Sequence, residues 1–322
     1  MENENKAVRI GIVGCGRVAK NHVEAIQKTP NAVLTAAAGG RKASAFCEKY
    51  GLELLDTEDI CTSPKIDALL VLTPWEKHYE YAKAALEAGK HVLVEKPVSF
   101  EPEEIKGMEQ AADENKVVCM PGHSYLYLTE LSRIRREVQN GGIGSPAYLY
   151  LSETYYMAPE LFQKYDGPEV DVLCHQLYLS LAFLGVPKAV SAFRSAFDRS
   201  VVETGGPQII VNLKYDGGCL AQILLSWAAE DHTSDPWTFK VKVLGTQGSM
   251  HFSRRDYVRN VGQSYDQVFY QEMFDAQMDH FVNRCILGGE QPLSTIRDAG
   301  WVCRLHNLIL QAADTEQVVQ VL

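Results

Sequence analysis

No two of the eight cysteines in this chain form a CxxC pair, and no cluster of candidate ligands shows metal-site spacing. That argues against disulfide scaffolds, structural zinc modules and thioredoxin-type redox chemistry. The scattered cysteines, most of them inside apolar runs, read as small core residues in a reducing cytoplasm. Basic runs are also missing. With 31 Lys+Arg against 41 Asp+Glu the net charge is −10, which argues against a nucleic-acid partner and favours solubility. No stretch approaches the ~18 apolar residues that span a bilayer, and the polar start Met1-Glu-Asn-Glu-Asn-Lys6 lacks a signal-peptide apolar region. There is no internal repeat and no low-complexity segment. What remains is a 322-residue chain, 46% apolar and 22% charged, long enough for two domains or one large one. A cytoplasmic protein without metal, membrane or nucleic-acid partners is expected.

The first 120 or so residues alternate strand and helix signals. Short β-rich runs fall at residues 8–13, 33–38, 68–72, 91–94 and 117–120. Helical patterns between them cover 18–28, 42–50, 76–87 and 102–114, with Gly51 and Gly89 as stops. Strands separated by single helices predict a parallel sheet covered on both faces. Beyond Pro121-Gly122 the pattern changes. A helix at 129–139 ends at Gly141-Gly142, and long β-type runs follow at 147–156, 189–197, 208–215, 219–227 and 238–244. Tyr215-Asp216-Gly217-Gly218 reads as a hairpin turn. Helices return at 171–184, 271–287 and 297–313. The expected architecture is α/β. A dinucleotide-binding domain of the Rossmann type spans 1–121, and an α+β domain with a large, open-faced, mostly antiparallel sheet spans 122–322. An open apolar sheet face predicts self-association, as a homodimer or homotetramer.

Three local features carry chemistry. Gly14-x-Gly16-x-x-Ala19 follows a strand and opens a helix. The first glycine permits the tight turn, the second lets backbone approach a pyrophosphate, and Ala19 keeps helix and strand close. The helix N-terminus then faces the phosphate charge. In dinucleotide-binding folds an acid at the end of the second strand bonds the ribose diol. Here Ala36-Ala-Ala-Gly-Gly-Arg-Lys42 contains none. Two adjacent cations, Arg41 and Lys42, stand there instead, favouring NADP(H) over NAD(H), with Arg41 the better phosphate ligand. The second feature is Lys96, in His91-Val-Leu-Val-Glu-Lys-Pro97. Proline cannot continue a ladder, so this lysine is held at a strand's carboxyl end, where such folds do their ligand chemistry. Asp171 and His175 stand four residues apart on a predicted helix. A carboxylate and an imidazole at that spacing share a face and can orient a partner and shuttle a proton.

Together these residues resemble the family of glucose–fructose oxidoreductases, inositol dehydrogenases and rhizopine-catabolism MocA proteins. The resemblance lies in Gly14-Cys-Gly-Arg-Val-Ala-Lys-Asn-His22, Thr73-Pro74 with His78, His91–Pro97, Gly141-Gly-Ile-Gly144 and Asp171…His175, and it covers nearly the whole chain. It implies NAD(P)-dependent oxidation or reduction of a secondary alcohol of a sugar, sugar derivative or polyol. The family's catalytic Lys, Asp and His fall on Lys96, Asp171 and His175. Its cofactor contacts fall on Gly14, Gly16, Arg17, Val18, Thr73, Pro74, Glu95 and Lys96. The family often places a polar residue where His123 stands, facing the nicotinamide. The alternative for His123 is an interdomain hydrogen bond. Tyr155 and Tyr156 are candidate sugar contacts, at most one of which faces the cleft, since neighbours on a strand point to opposite faces. His22 and His78 read as helix-start or packing residues. Three departures stand out. Tyr178 replaces an Asp three residues after the His, Tyr165-Asp-Gly-Pro168 lacks the usual glycines, and Trp75 replaces an Asn after Thr-Pro. Two other functions fit the same scaffold: a redox-neutral glycosidase or epimerase-like enzyme that recycles its cofactor, and a non-catalytic dinucleotide sensor.

Overall fold

The structure is a computed structural model that describes residues 7–154, 167–195, 208–228, 239–252 and 267–322. It divides into two compact units, Met1–Tyr127 with Gln271–Gly300, and Leu128–Tyr270 with Trp301–Leu322.

In the first unit six strands form a parallel sheet: β1 (Val8–Val13), β2 (Ala32–Ala38), β3 (Glu53–Leu54), β4 (Ala68–Val71), β5 (His91–Val94) and β6 (Cys119–Pro121). Their order across the sheet is β3-β2-β1-β4-β5-β6, the doubly wound dinucleotide-binding order. The central strands are buried on both faces because helices cover both, so they read as apolar runs without alternation. The connecting helices are α1 (Ala19–Lys28), α2 (Ala43–Tyr50), α3 (Thr57–Thr62), α4 (His78–Glu87) and α5 (Pro102–Asn115). Strand β3 is only two residues long and both are exposed, which is why no apolar run announces it. Since β1 neighbours both β2 and β4, the winding reverses there. In sheets of this kind ligands bind beyond the strands' carboxyl ends at such a reversal.

The second unit carries α6 (Thr129–Gln139) and a seven-stranded sheet. Its strands are β7 (Pro146–Thr154), β8 (Ala189–Ser195), β9 (Gln208–Lys214), β10 (Leu220–Ser226), β11 (Lys240–Gly245), β12 (Ser249–Phe252) and β13 (Val319–Gln320), in the order β12-β11-β7-β10-β9-β8-β13. All neighbours are antiparallel except β7 and β10. The expected hairpin joins β9 to β10, with Lys214 opposite Leu220. Alternation sorts the two faces. Leu149, Leu151, Val211, Ile223, Leu225 and Val243 are buried, while Tyr148, Tyr150, Ile210, Asn212, Gln222 and Leu224 on the other face are half-exposed. Helix α7 (Leu173–Leu184) is buried at every residue from Leu173 to Leu181.

Two predicted helices are interrupted. The 171–184 helix is a separate turn, Pro168–Asp171, followed by α7, because Val172 at φ −110° loses the helical spacing. The 271–287 helix is regular as α8 (Gln267–Asp279) and then widens into a π-helical segment, His280–Ile286.

Candidate active site

Every cofactor residue expected from the sequence lies beyond the carboxyl end of a parallel strand of the first unit. Gly14 follows β1 at φ +103°, and a Cβ there would lie 2.6 Å from the Leu72 carbonyl carbon. Only glycine fits so tight a pass over the end of β4. Gly14 N–H donates to Ala38 O at 2.9 Å, anchoring the turn to β2. At Gly16, in contrast, a Cβ would meet nothing within 4 Å among the described residues, so this glycine answers to no described neighbour. The helix it opens has no side-chain cap and no acid in its first turn, an arrangement that suits a phosphate on its exposed N–H groups. Val18 is the N-cap residue, Arg17 before it is exposed, and Ala19 is buried. After β2, Gly39 and Gly40 both take positive φ and lead to exposed Arg41 and Lys42. Neither forms an ion pair among the described residues.

Beyond β4 the buried Thr73 hydroxyl has no hydrogen-bond partner among the described residues, as expected of a group that a ligand satisfies. Pro74 is exposed, and Trp75, which replaces the usual Asn, packs edge-on against Phe100 with ring centroids 5.0 Å apart. His78 is buried between two turns, its Nε2 lying 2.8 Å from Thr73 O and its Nδ1 2.9 Å from Pro97 O. Burial lowers its pKa, while the two carbonyls pull the other way. His78 therefore ties the Thr73-Pro74 turn to the turn that carries Lys96. The residue beside it, Glu95, accepts from the Lys96 N–H at 3.0 Å through Oε2 and lies 3.0 Å from His22 Nε2 through Oε1. Burial pushes the Glu95 carboxyl up, but the His22 bond and the charge and N–H of Lys96 outweigh it and hold the carboxylate below its usual range. His22 lies on α1, just behind the glycine turn, so this helix is linked through one carboxylate to the lysine strand end. Gly122 N–H closes the set by donating to Val94 O at 2.6 Å, and a Cβ at Gly122 would press on Glu95 and Lys96 backbone. His123 is 1% exposed, with Nδ1 2.6 Å from Ser294 Oγ. Burial drives its pKa down to about 3, so the ring is neutral at physiological pH.

The second unit holds the Asp171…His175 pair. Asp171 ends the Pro168–Asp171 turn and is half-buried, and His175 lies in the first turn of α7, where its N–H bonds Val172 O at 3.0 Å. The His175 Nδ1 is 2.6 Å from the Tyr178 hydroxyl. The departure from the family's Asp thus places a phenol on the imidazole. Gln176 Nε2 donates to Glu153 Oε2 at 3.0 Å and fastens this turn of the helix to β7. Tyr155 and Tyr156 lie outside the described residues. Sequence reasoning missed the His22–Glu95 and His175–Tyr178 contacts. The second could have been read from helical i, i+3 spacing, whereas the first joins residues 73 positions apart and no local pattern signals it.

Residues 8–123 match the family model described as "Oxidoreductase family, NAD-binding Rossmann fold", and residues 131–251 match the GFO/IDH/MocA C-terminal domain. The chain belongs to the GFO/IDH/MocA oxidoreductases. It is 25% identical to scyllo-inositol 2-dehydrogenase (NAD(+)) of Bacillus subtilis, over 91% of this chain and 90% of that protein. It is 30% identical to the same organism's scyllo-inositol 2-dehydrogenase (NADP(+)) IolW, over 42% of this chain and 40% of that one. Scyllo-inositol dehydrogenase from Lactobacillus casei, solved with NAD(H) and scyllo-inositol, shares its fold at a TM-score of 0.85 and 21% identity, covering 98% of this chain and 99% of the other. This GFO/IDH/MocA chain is an NAD(P)-dependent oxidoreductase. An uncapped α1, the open position at Gly16 and the unsatisfied Thr73 hydroxyl all fit a bound dinucleotide.

Proposed function

We propose that the chain is a dehydrogenase or reductase that moves a hydride between a nicotinamide cofactor and a secondary alcohol or ketone of a sugar or polyol, inositols included. The observation that carries this reading is the set of turns around Lys96. The lysine stands at the carboxyl end of β5 in the sheet whose β1 turn fits a dinucleotide. His78 and the His22–Glu95 pair hold its backbone in place. In this mechanism the Lys96 ammonium bonds the reacting oxygen and lowers the alcohol's pKa. His175 takes the hydroxyl proton or returns it, and Asp171 orients Lys96 or the sugar. The bound cofactor accepts or supplies the hydride, which is the step no side chain performs. Gly14, Gly16, Arg17, Val18, Thr73, Pro74 and Glu95 serve the cofactor side, Glu95 by positioning Lys96. His123, buried against Ser294, would act on the nicotinamide side as a neutral imidazole, with Tyr155 or Tyr156 on the sugar.

The test is a panel of inositols and sugars assayed with NAD(+) and NADP(+). Net change in nicotinamide absorbance with a polyol supports the reading. Product formation with no net change would replace it by the redox-neutral, cofactor-recycling reaction, and no turnover on any polyol would leave the sensor function.

The cofactor favoured is NADP(H), supported by exposed Arg41 and Lys42, which form no ion pair among the described residues, and by the missing acid after β2. Calorimetric titration is expected to give tighter binding of NADP(H), and Arg41→Ala should erase roughly a ten-fold preference, about 1.4 kcal/mol. An NAD(H) preference in the unaltered protein would refute it. The half-exposed face of the second sheet, with Phe193 at 54% and Leu220 at 50% exposure, supports self-association through that face. A single monomer boundary in sedimentation at micromolar concentration would count against it. All eight cysteines are buried thiols, which fits a reducing compartment such as the cytoplasm.

A further inference from the structure

The phenol of Tyr178 lies 2.6 Å from Nδ1 of His175, three residues earlier on the same face of α7. The two rings meet edge to face, with centroids 5.5 Å apart and planes at 72°. Side chains on a helix lean toward its N-terminus, so Tyr178 leans back over His175. Both residues are buried, and the next residue, Gln176, pins this turn to Glu153 of β7. The imidazole is thus held at Nδ1 by a rigid, buried, uncharged group on a fixed helix.

We propose that Tyr178 is the positioning residue for His175. Its phenol clamps Nδ1 in every protonation state and assigns proton transfer to Nε2. This rests on the proposed role of His175 as proton carrier. A phenol both donates and accepts and is uncharged at neutral pH, whereas a carboxylate only accepts. When His175 awaits the substrate proton, Nδ1–H donates to the phenol oxygen and Nε2 presents its lone pair. As the hydride leaves the carbinol carbon for the nicotinamide, the O–H bond of the alcohol breaks and its proton forms a bond to Nε2. Nδ1–H stays on the phenol throughout, and Nε2–H later gives its proton to water. In the opposite direction the ring starts as the imidazolium: Nε2–H gives its proton to the carbonyl oxygen as the carbinol carbon gains hydride, and Nδ1–H again stays on the phenol, which could equally donate to Nδ1 in the other neutral tautomer. A carboxylate in this place would lock one tautomer and add a counter-charge that stabilises the imidazolium. The phenol fixes the ring without doing either.

Tyr178→Phe removes one oxygen and keeps the ring, and it is tested in the full chain. In ¹⁵N spectra of histidine-labelled protein, with His175 assigned by its loss in His175→Gln, the wild-type Nδ1 is expected at a hydrogen-bonded position. In Tyr178→Phe it should move toward the unbonded value. With an active polyol, kcat is expected to fall roughly ten-fold while KM stays within about two-fold, the loss of one orienting hydrogen bond. An unmoved Nδ1 resonance together with unchanged kcat overturns the proposal. If Tyr178→Phe fails to fold, the wild-type spectrum decides, since an Nδ1 at the unbonded position overturns the clamp outright. The function itself fails separately: undiminished turnover in His175→Gln would remove His175 as proton carrier, and with it the catalytic meaning of the clamp, whatever the resonance does.

Discussion

In the first unit each candidate residue stands where a parallel strand ends: Gly14 after β1, Arg41 after β2, Thr73 after β4, Lys96 after β5 and His123 after β6. In the second unit the described candidates stand on no strand. Asp171 closes a one-turn helix and His175 opens α7. The contrast follows from sheet geometry. Parallel strands all point the same way, so their carboxyl ends share one edge, and residues scattered over more than a hundred positions converge there. Strands of a mainly antiparallel sheet end alternately at opposite edges and gather nothing. Such a sheet serves as a platform, with one buried face and one half-exposed, and the unit's candidate residues stand instead on a helical turn and the helix that follows it.

The comparison is broken most severely by Lys96→Ala. If the parallel edge holds the reacting centre, this variant should lose about two to three orders of magnitude in kcat, roughly 3–4 kcal/mol of transition-state stabilisation, with cofactor affinity nearly unchanged. Steady-state kinetics and calorimetry on one preparation check both halves. More than a tenth of wild-type kcat would make the lysine structural. His175→Ala should cost a similar factor and flatten the pH–rate profile near neutrality. A loss confined to Lys96→Ala would leave the second unit as a platform alone.

The two glycines of the β1 turn sharpen the contrast within one motif. Gly14→Ala forces a Cβ against the Leu72 backbone at positive φ, and it should cost roughly 2–4 kcal/mol of stability. Gly16→Ala meets nothing within 4 Å among the described residues, so its thermal midpoint should hold while dinucleotide affinity drops by about ten-fold. Thermal unfolding with and without cofactor separates them. Equal destabilisation by both would show that the turn is wholly structural.

The remaining effect, on the pH dependence of stability and not on turnover, concerns His123. Its pKa is about 3 in the fold against an ordinary histidine value of 6.5, so below that upper value the unfolded chain binds a proton that the native state refuses. The stability of the neutral, buried ring is fully present above about pH 6.5 and is lost progressively as pH falls toward 3. His123→Gln, which keeps a polar group for Ser294, should therefore lose less of its thermal midpoint between about pH 7 and pH 4 than the wild type does. Parallel curves would show that His123 takes up its proton in the native state.

The alternation of short apolar runs with helices, the Gly14–Ala19 turn and the Tyr215–Gly218 hairpin were legible in the sequence because each obeys a local rule of periodicity or backbone freedom. The two-residue β3 was not, since an exposed pair carries no hydrophobic signal. The break at Val172 was not either, because Asp171 and His175 keep a helical spacing in sequence whether or not the helix is continuous. Nor did any local pattern show that Gln271–Gly300 returns to the first unit. There Gln271 exchanges side-chain and backbone bonds with Asn21 on α1, and Phe274 packs on His22.

By itself, then, the sequence determined the kind of structure and the kind of chemistry. Strand, helix and turn preferences act between near neighbours, and a dinucleotide turn or a lysine before proline is complete within a few residues. The environment of those residues was decided only by tertiary structure. A carboxylate between His22 and Lys96, a hydroxyl left unsatisfied at Thr73, a ring held neutral at His123 and a phenol on His175 all depend on burial, on which groups accompany a buried side chain, and on exact distance. Desolvation and hydrogen bonding set these states, and both come from atoms that the chain brings together only on folding.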